Sequence, residues 1–119
     1  MCNVRGIGID LCEIGRMARL LDEGHSLRRM FTAAEQAYIR GKGVSAAQSM
    51  AGLFAAKEAA LKAFGSGLSI PLTDIEISHT DKGQPYAVLH GQAAALGGQL
   101  RLSITHEAGM AAGMAVWTD

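Results

Sequence analysis

The sequence predicts an α+β domain: a small antiparallel sheet packed with one long helix and shorter helices. Apolar residues recur at helical spacing through residues 14–64, and alternate with polar ones between Ile75 and Trp117. The 119 residues fit one domain, 1–119, and an apolar share of 49% argues against disorder. Aromatic residues are only 5%, so Leu, Ile, Val, Met and Ala must fill the core, and the small residues allow close helix packing.

The elements follow in order. Val4 to Asp10 reads as a strand with Ile7 and Ile9 on one face. Gly6 and Gly8 on the other face permit close approach of another backbone. Asp10 then sits at the strand's end. Glu13 to about Glu23 reads as a helix, with Ile14, Met17, Ala18 and Leu21 as its apolar stripe and Arg16 and Arg19 off its centre. Thr32 and Glu35 match a capping box that opens a short helix from Ala33 to about Arg40. Gly41 to Ala46 reads as a loop. Ser45 and Gln48 offer a second capping box for a long helix reaching about Phe64, with Leu53, Ala56, Ala60 and Phe64 on one face. Gly65-Ser66-Gly67 ends that helix.

The second half reads as strands. Ile75 and Ile77 alternate with Glu76 and Ser78, Asp81 to Gln84 turns the chain, and Pro85 to Leu89 resumes extended structure. Gln92 to Leu96 suits a short helix. Leu100, Leu102 and Ile104 alternate, His106 to Gly109 turns, and Met110 to Trp117 forms the last strand.

Lys plus Arg and Asp plus Glu each number 11, which argues against general nucleic-acid binding. The distribution is uneven: residues 1–62 carry nine basic and six acidic side chains, and the remainder two and five. A basic first half suits an anionic ligand or an acidic partner, or simply a solvated surface. Cys2 and Cys12 form neither a disulfide framework nor a zinc motif, and Cys12 suits a core position better than a nucleophile. No run approaches a membrane span and no apolar leader opens the chain, so a cytoplasmic protein is expected.

Three short stretches could carry chemistry. In Gly8-Ile9-Asp10 a carboxylate at a strand terminus can reach a cavity at the sheet's edge, though a capping or surface aspartate reads the same way. In Phe54-Ala55-Ala56-Lys57-Glu58-Ala59-Ala60-Leu61-Lys62, Glu58 and Lys62 lie four apart on one helix face. The plain reading is an exposed ion pair with Lys57 solvated. The chemical one is a carboxylate holding Mg²⁺ beside a lysine that balances phosphate charge. Mg²⁺ prefers one or two protein carboxylates with waters and phosphates completing its shell, and Asp10 plus Glu58 supply that set. In Ser103-Ile104-Thr105-His106 a histidine at a strand end can donate to an anion, or serve as a turn residue. His25, His79 and His90 show no metal-ligand spacing with it, so zinc is discounted.

Singly these are weak signals. In order along the chain, Gly6-Ile7-Gly8-Ile9-Asp10, Phe54-Ala55-Ala56-Lys57-Glu58-Ala59 with Lys62-Ala63-Phe64-Gly65-Ser66-Gly67, and Ser103-Ile104-Thr105-His106 resemble the holo-acyl-carrier-protein synthases, the small trimeric type of 4'-phosphopantetheinyl transferase. The resemblance covers nearly the whole chain and is most specific over Lys57–Gly67. It implies a homotrimer with active sites in clefts between subunits. It implies Mg²⁺ held by Asp10 and Glu58, coenzyme A as donor, and Lys62 on the donor's phosphates. Gly65 and Gly67 would let backbone approach the ligand. Ser103, Thr105 and His106 would line the coenzyme A site, with His106 near the nucleotide's phosphate or adenine. Apo-acyl carrier protein, of fatty-acid or polyketide type, would dock on the basic helix at Arg16 and Arg19, with Arg28 and Arg29 extending that surface. Its serine would attack the β-phosphorus, with Glu58 or a water polarised by Mg²⁺ near Asp10 as base, and adenosine 3',5'-bisphosphate would leave.

One departure stands out. Relatives often carry a basic residue where this chain has Leu53, a position that helps hold the 3'-phosphate of coenzyme A; Arg40 or Lys42 are the available substitutes. Three other functions compete: a non-catalytic coenzyme A or nucleotide module, which needs neither Asp10 nor Glu58; an oligomeric protein that binds acidic partners without Mg²⁺; and a Mg²⁺-dependent phosphotransferase with another nucleotide donor.

Overall fold

The computed structural model describes residues 3–65 and 69–119. Strand β1 (Val4–Glu13) leads into α1 (Ile14–Leu20), α2 (Gly24–Met30), α3 (Ala33–Arg40) and the long α4 (Ala46–Phe64). Then come β2 (Ile75–His79), β3 (Pro85–Leu89), α5 (Gly91–Ala95), β4 (Gln99–Glu107) and β5 (Met110–Thr118). The mixed α+β class is as expected. The strands divide into two antiparallel sheets, one ordered β1-β5-β4 and one pairing β2 with β3.

α4 is the centre of the molecule. Thirteen of its residues are buried, and they lie all round its circumference rather than on one face. Two core clusters meet along it. One holds Met17, Leu27, Phe31, Ile39, Met50 and Leu53 on the side of the early helices; the other holds Ala60, Phe64, Ile75, Leu100 and Ala115. Cys12 is a buried free thiol in the first cluster, the core position expected of it.

Several local expectations change. β1 runs three residues beyond Asp10, to Glu13, so Asp10 lies within the strand and α1 is shorter than the stripe suggested. Ala18 is exposed, and Met17 is the buried residue of α1. The Thr32–Glu35 capping box forms with both reciprocal bonds. The Ser45–Gln48 box does not: a 3-10 turn over Gly43–Ser45 precedes α4, and Ser45 makes no side-chain cap. His106 stays in β4, paired with Ala111, and the turn falls on Ala108-Gly109. Both residues take positive φ, 51° and 79°, the backbone of a two-residue I′ hairpin.

The three-stranded sheet presents two different faces. Alternation puts Gly6, Gly8, Asp10 and Cys12 toward α4 and Ile7, Ile9 and Leu11 away from it. On the outer face Ile7 and Ile9 are each 67% exposed, and Met114, paired with Ile9, is 47% exposed. Among the described residues no helix is long and apolar enough to cross a membrane.

Candidate active site

The site depends on how closely β1 and β5 approach α4. A Cβ at Gly8 would overlap the carbonyl oxygen of Ala59, and one at Gly6 that of Ala63. Gly113 pairs with Asp10 across the ladder, and a Cβ there would overlap the backbone of Ala55 and Ala56. With three side chains missing, the strand backbones settle directly on the alanine surface of the helix. This is the close approach that Gly6 and Gly8 predict. Glu58 and Lys62, one helical turn apart, are then carried to Asp10.

Lys62 Nζ donates to Asp10 Oδ1 at 3.0 Å and to the carbonyl oxygen of Ile9 at 3.0 Å. The Lys62 side chain is 57% exposed and that of Asp10 21%, so the ammonium approaches from solvent and is free to turn to another anion. An ion pair so exposed holds weakly. Burial pushes the Glu58 carboxyl pKa up, and the charge of Asp10 adds to the rise. Lys62 and Arg16 oppose it. The Arg16 guanidinium, from α1, lies 5.5 Å from the Phe54 ring centroid at the edge of this cluster. Burial also raises the Cys12 thiol, which therefore stays protonated and is no nucleophile. A groove of about 430 Å³ lined by Ile9, Asp10, Leu11 and Lys62 opens beside the carboxylates.

The donor set fits a hard cation with few protein ligands. Among the described residues no three His, Cys, Asp or Glu side chains gather. The Asp10 charge disfavours ionisation of Glu58, which a cation between the two would relieve, and two oxygen donors leave coordination positions for phosphate and water, as Mg²⁺ requires.

The remaining predicted site residues are dispersed. Gly65 caps α4 at φ 119°, a backbone that favours glycine, and Gly67 lies outside the described residues. Ser103 and Thr105 pair with Met114 and Ala112, on the outer sheet face with Ile9 and Leu11. His106 points to the opposite face, where its Nε2 lies 3.2 Å from Gln48 Nε2. Gln48 precedes Glu58 by ten helical residues, about 15 Å along the axis. Within one chain, then, His106 is not near the carboxylate pair.

Lys57 is the residue the sequence reading misplaces. It is wholly buried and paired with Glu35, and it also donates to the carbonyls of Met30 at 2.8 Å and Leu72 at 3.0 Å. Glu35 Oε2 accepts from the Ile77 amide at 2.7 Å. The pair ties α2, α3 and β2 to α4 next to Glu58. The available signal was the run of apolar residues on both sides of the motif, Met50–Ala56 and Ala59–Leu61, which leaves little solvated surface near position 57.

The 4'-phosphopantetheinyl transferase superfamily model matches residues 6–111. The chain belongs to this superfamily. Its relatives include the holo-[acyl-carrier-protein] synthase of Treponema denticola, 38% identical over 95% of this chain and 97% of that one. Another is the synthase of Trichlorobacter lovleyi, 41% identical over 91% and 92%. Among solved structures, the holo-(acyl-carrier-protein) synthase of Bacillus anthracis in complex with CoA (3',5'-ADP) superimposes with a TM-score of 0.82 at 33% identity, covering 98% of this chain and 97% of that one. The Helicobacter pylori synthase in complex with coenzyme A gives 0.81 at 30% identity, over 95% and 99%. The phosphopantetheinyl transferase expected from the motifs is thus a transferase by family, with the fold of these synthases.

Proposed function

We propose that this transferase is a holo-[acyl-carrier-protein] synthase. It moves 4'-phosphopantetheine from coenzyme A to a serine of apo-acyl carrier protein in a Mg²⁺-dependent reaction and releases adenosine 3',5'-bisphosphate. The observation that carries the reading is that Lys62 pairs with Asp10 and that the charges of both act on Glu58, in a chain of this family. Asp10 and Glu58 hold the Mg²⁺, which when bound supplies positive charge to the donor's pyrophosphate. Lys62 turns from Asp10 to the phosphate oxygens and stabilises the charge that develops on the leaving bisphosphate. A serine hydroxyl is a weak nucleophile until its proton is taken; Glu58, or a water polarised by the cation near Asp10, would take it.

The working unit is an assembly, a homotrimer by the family resemblance, acting in the cytoplasm with 1–119 as a single domain. Two observations support assembly. Among the described residues nothing covers the apolar outer face of the three-stranded sheet. The carboxylate pair and His106 also lie far apart for contacts to one nucleotide. In a cleft between copies, Ser103, Thr105 and His106 line the nucleotide end, while Gly65 and Gly67 give backbone access. Arg16, Arg19, Arg28 and Arg29 are all exposed on α1 and α2, where they receive the acidic carrier.

The test is mass spectrometry of apo-acyl carrier protein after incubation with the protein, coenzyme A and Mg²⁺. The expected result is a gain of one phosphopantetheinyl group that disappears with chelator. Folded Asp10→Ala and Glu58→Ala variants should lose most turnover. An unmodified carrier, or near-normal turnover by either variant at saturating Mg²⁺, would refute the assignment.

A further inference from the structure

Among the described residues, Lys57 and Glu35 are the charged side chains buried in the core, and the transfer chemistry uses neither. A buried ion pair is weak evidence of net stabilisation, because apolar side chains of similar volume often serve stability as well. What the pair adds is direction. Apolar burial has none, whereas a hydrogen bond fixes both distance and angle. The Lys57 ammonium has three protons to donate, and three acceptors from different segments face it: Glu35 Oε1 on α3, the Met30 carbonyl at the end of α2 and the Leu72 carbonyl before β2. Glu35 is itself held by main chain, with Oε1 accepting from the Thr32 amide at 2.9 Å and Oε2 from the Ile77 amide at 2.7 Å. The ammonium thus sits in a frame that other segments supply. At about 100° per residue, position 57 points roughly 160° away from position 59. Ala59 is the residue that Gly8 settles on. α4 is therefore gripped from nearly opposite sides, by glycine against alanine on the sheet side and by the Lys57 tether on the other. Glu58 projects between the two grips, on the flank it shares with Lys62. The sheet-side contact has no side chains that interlock, so it fixes separation better than rotation.

We propose that Lys57 is a positioning residue for the Mg²⁺ carboxylates: its tether fixes the roll of α4 and with it the reach of Glu58 toward Asp10. This deepens the transferase reading and rests on it. Lys57 touches neither metal nor substrate and acts through the helix backbone. The leverage is large. A side-chain tip lies about 5–6 Å from a helix axis, so a roll of about 10° carries the Glu58 carboxylate sideways by about 1 Å. A shift of that size is enough to spoil a two-carboxylate cation site and lower turnover about a hundredfold.

The test compares Lys57→Met, alone and combined with Glu35→Gln, with the wild-type full chain, at temperatures well below each Tm. Removing both charges returns part of the stability that the single substitution loses, so the double variant separates positioning from stability. If the pair only stabilises, the site recovers together with the fold. If Lys57 positions Glu58, the site stays impaired in a folded protein. Calorimetric titration of Mg²⁺ into the double variant saturated with coenzyme A should then show affinity about 10–100-fold weaker than wild type, the range seen when a group that orients a metal ligand is lost. Its kcat at saturating Mg²⁺ should fall about a hundredfold, with the KM for coenzyme A little changed. A folded double variant in which either Mg²⁺ affinity or kcat is close to wild type overturns the assignment. So does a double variant that cannot fold, because the pair is then a requirement of the fold itself. Both outcomes leave carrier modification by the wild type standing. Absence of that modification overturns the functional reading, and the Lys57 assignment with it.

Discussion

Gly8→Ala should damage catalysis and stability together, because one contact sets both. The added methyl would fall inside the van der Waals envelope of the Ala59 carbonyl oxygen, with the Ala59 carbonyl carbon and the Ala63 nitrogen each 2.9 Å away. All three are backbone atoms of the central helix, so they cannot rotate out of the way. The strand must retreat instead, on the order of 1 Å to restore ordinary contact distances. Overpacking of this kind costs about 1–3 kcal/mol. For a chain of this size that corresponds to a fall in Tm of roughly 4–12 °C. Asp10 is two residues along the same face and moves with the strand. A misplacement of about 1 Å at a catalytic group can lower turnover about a hundredfold. Thermal unfolding and the carrier-mass assay, run below the variant's Tm, measure the two effects. If Gly8→Ala unfolds within a degree or two of the wild type and turns over normally, backbone contact between β1 and α4 does not position the carboxylates.

Glu58→Gln should lose activity yet raise Tm at neutral pH. The folded protein binds the Glu58 proton more tightly than the unfolded chain does, so ionising this carboxyl opposes folding. The penalty is absent below the unfolded value of about 4.3, grows as pH rises past it, and levels off above the raised folded value. The gain in Tm should therefore shrink to nothing in acid, and a variant less stable than wild type at pH 7 contradicts the sign. Mg²⁺ should raise the Tm of the wild type through mass action and leave that of the variant nearly unchanged. Lys57→Met should destabilise by about 3–5 kcal/mol by leaving the Glu35 carboxylate buried without its partner, and Lys57→Met with Glu35→Gln should recover part of that in denaturant unfolding. If the site is shared between copies, co-refolding Asp10→Ala with His106→Ala should restore turnover that neither variant shows alone; no recovery places the whole site in one chain.

Local signals with a fixed spacing were legible in the sequence. The Thr32–Glu35 box, the alternating strands and the glycines facing α4 are each set by neighbours a few residues away or by a missing Cβ. The motif residues Asp10, Glu58 and Lys62 also meet in the structure. Non-local outcomes were not legible. α2 begins without a side-chain cap and buries only Leu27, too little periodicity to mark a helix. The division into two sheets is decided by which strands pair, and that partnership leaves no trace in either strand alone. Lys57 reads as solvated because lysine usually is. Its burial becomes possible only when Glu35, Met30 and Leu72 arrive from three other segments.

The parity of β4 bears on why a chain this small would act as an assembly. Ser103 and Thr105 share one face of the strand and His106 takes the other, so no single-chain pocket holds all three side chains. The face with Ser103 and Thr105 is continuous with Ile7, Ile9, Leu11 and Met114, the exposed apolar surface that a second copy would cover. The same association that removes this surface from water would bring one copy's carboxylates toward another's His106. Burial of the apolar face and completion of the site then become one event. Replacing Ile9 on that face with a charged residue should release monomers, and those monomers should be inactive even though Asp10, Glu58 and Lys62 are unchanged. Sizing by light scattering alongside the transfer assay separates the two consequences: active monomers would show that the outer face serves some purpose other than building the site.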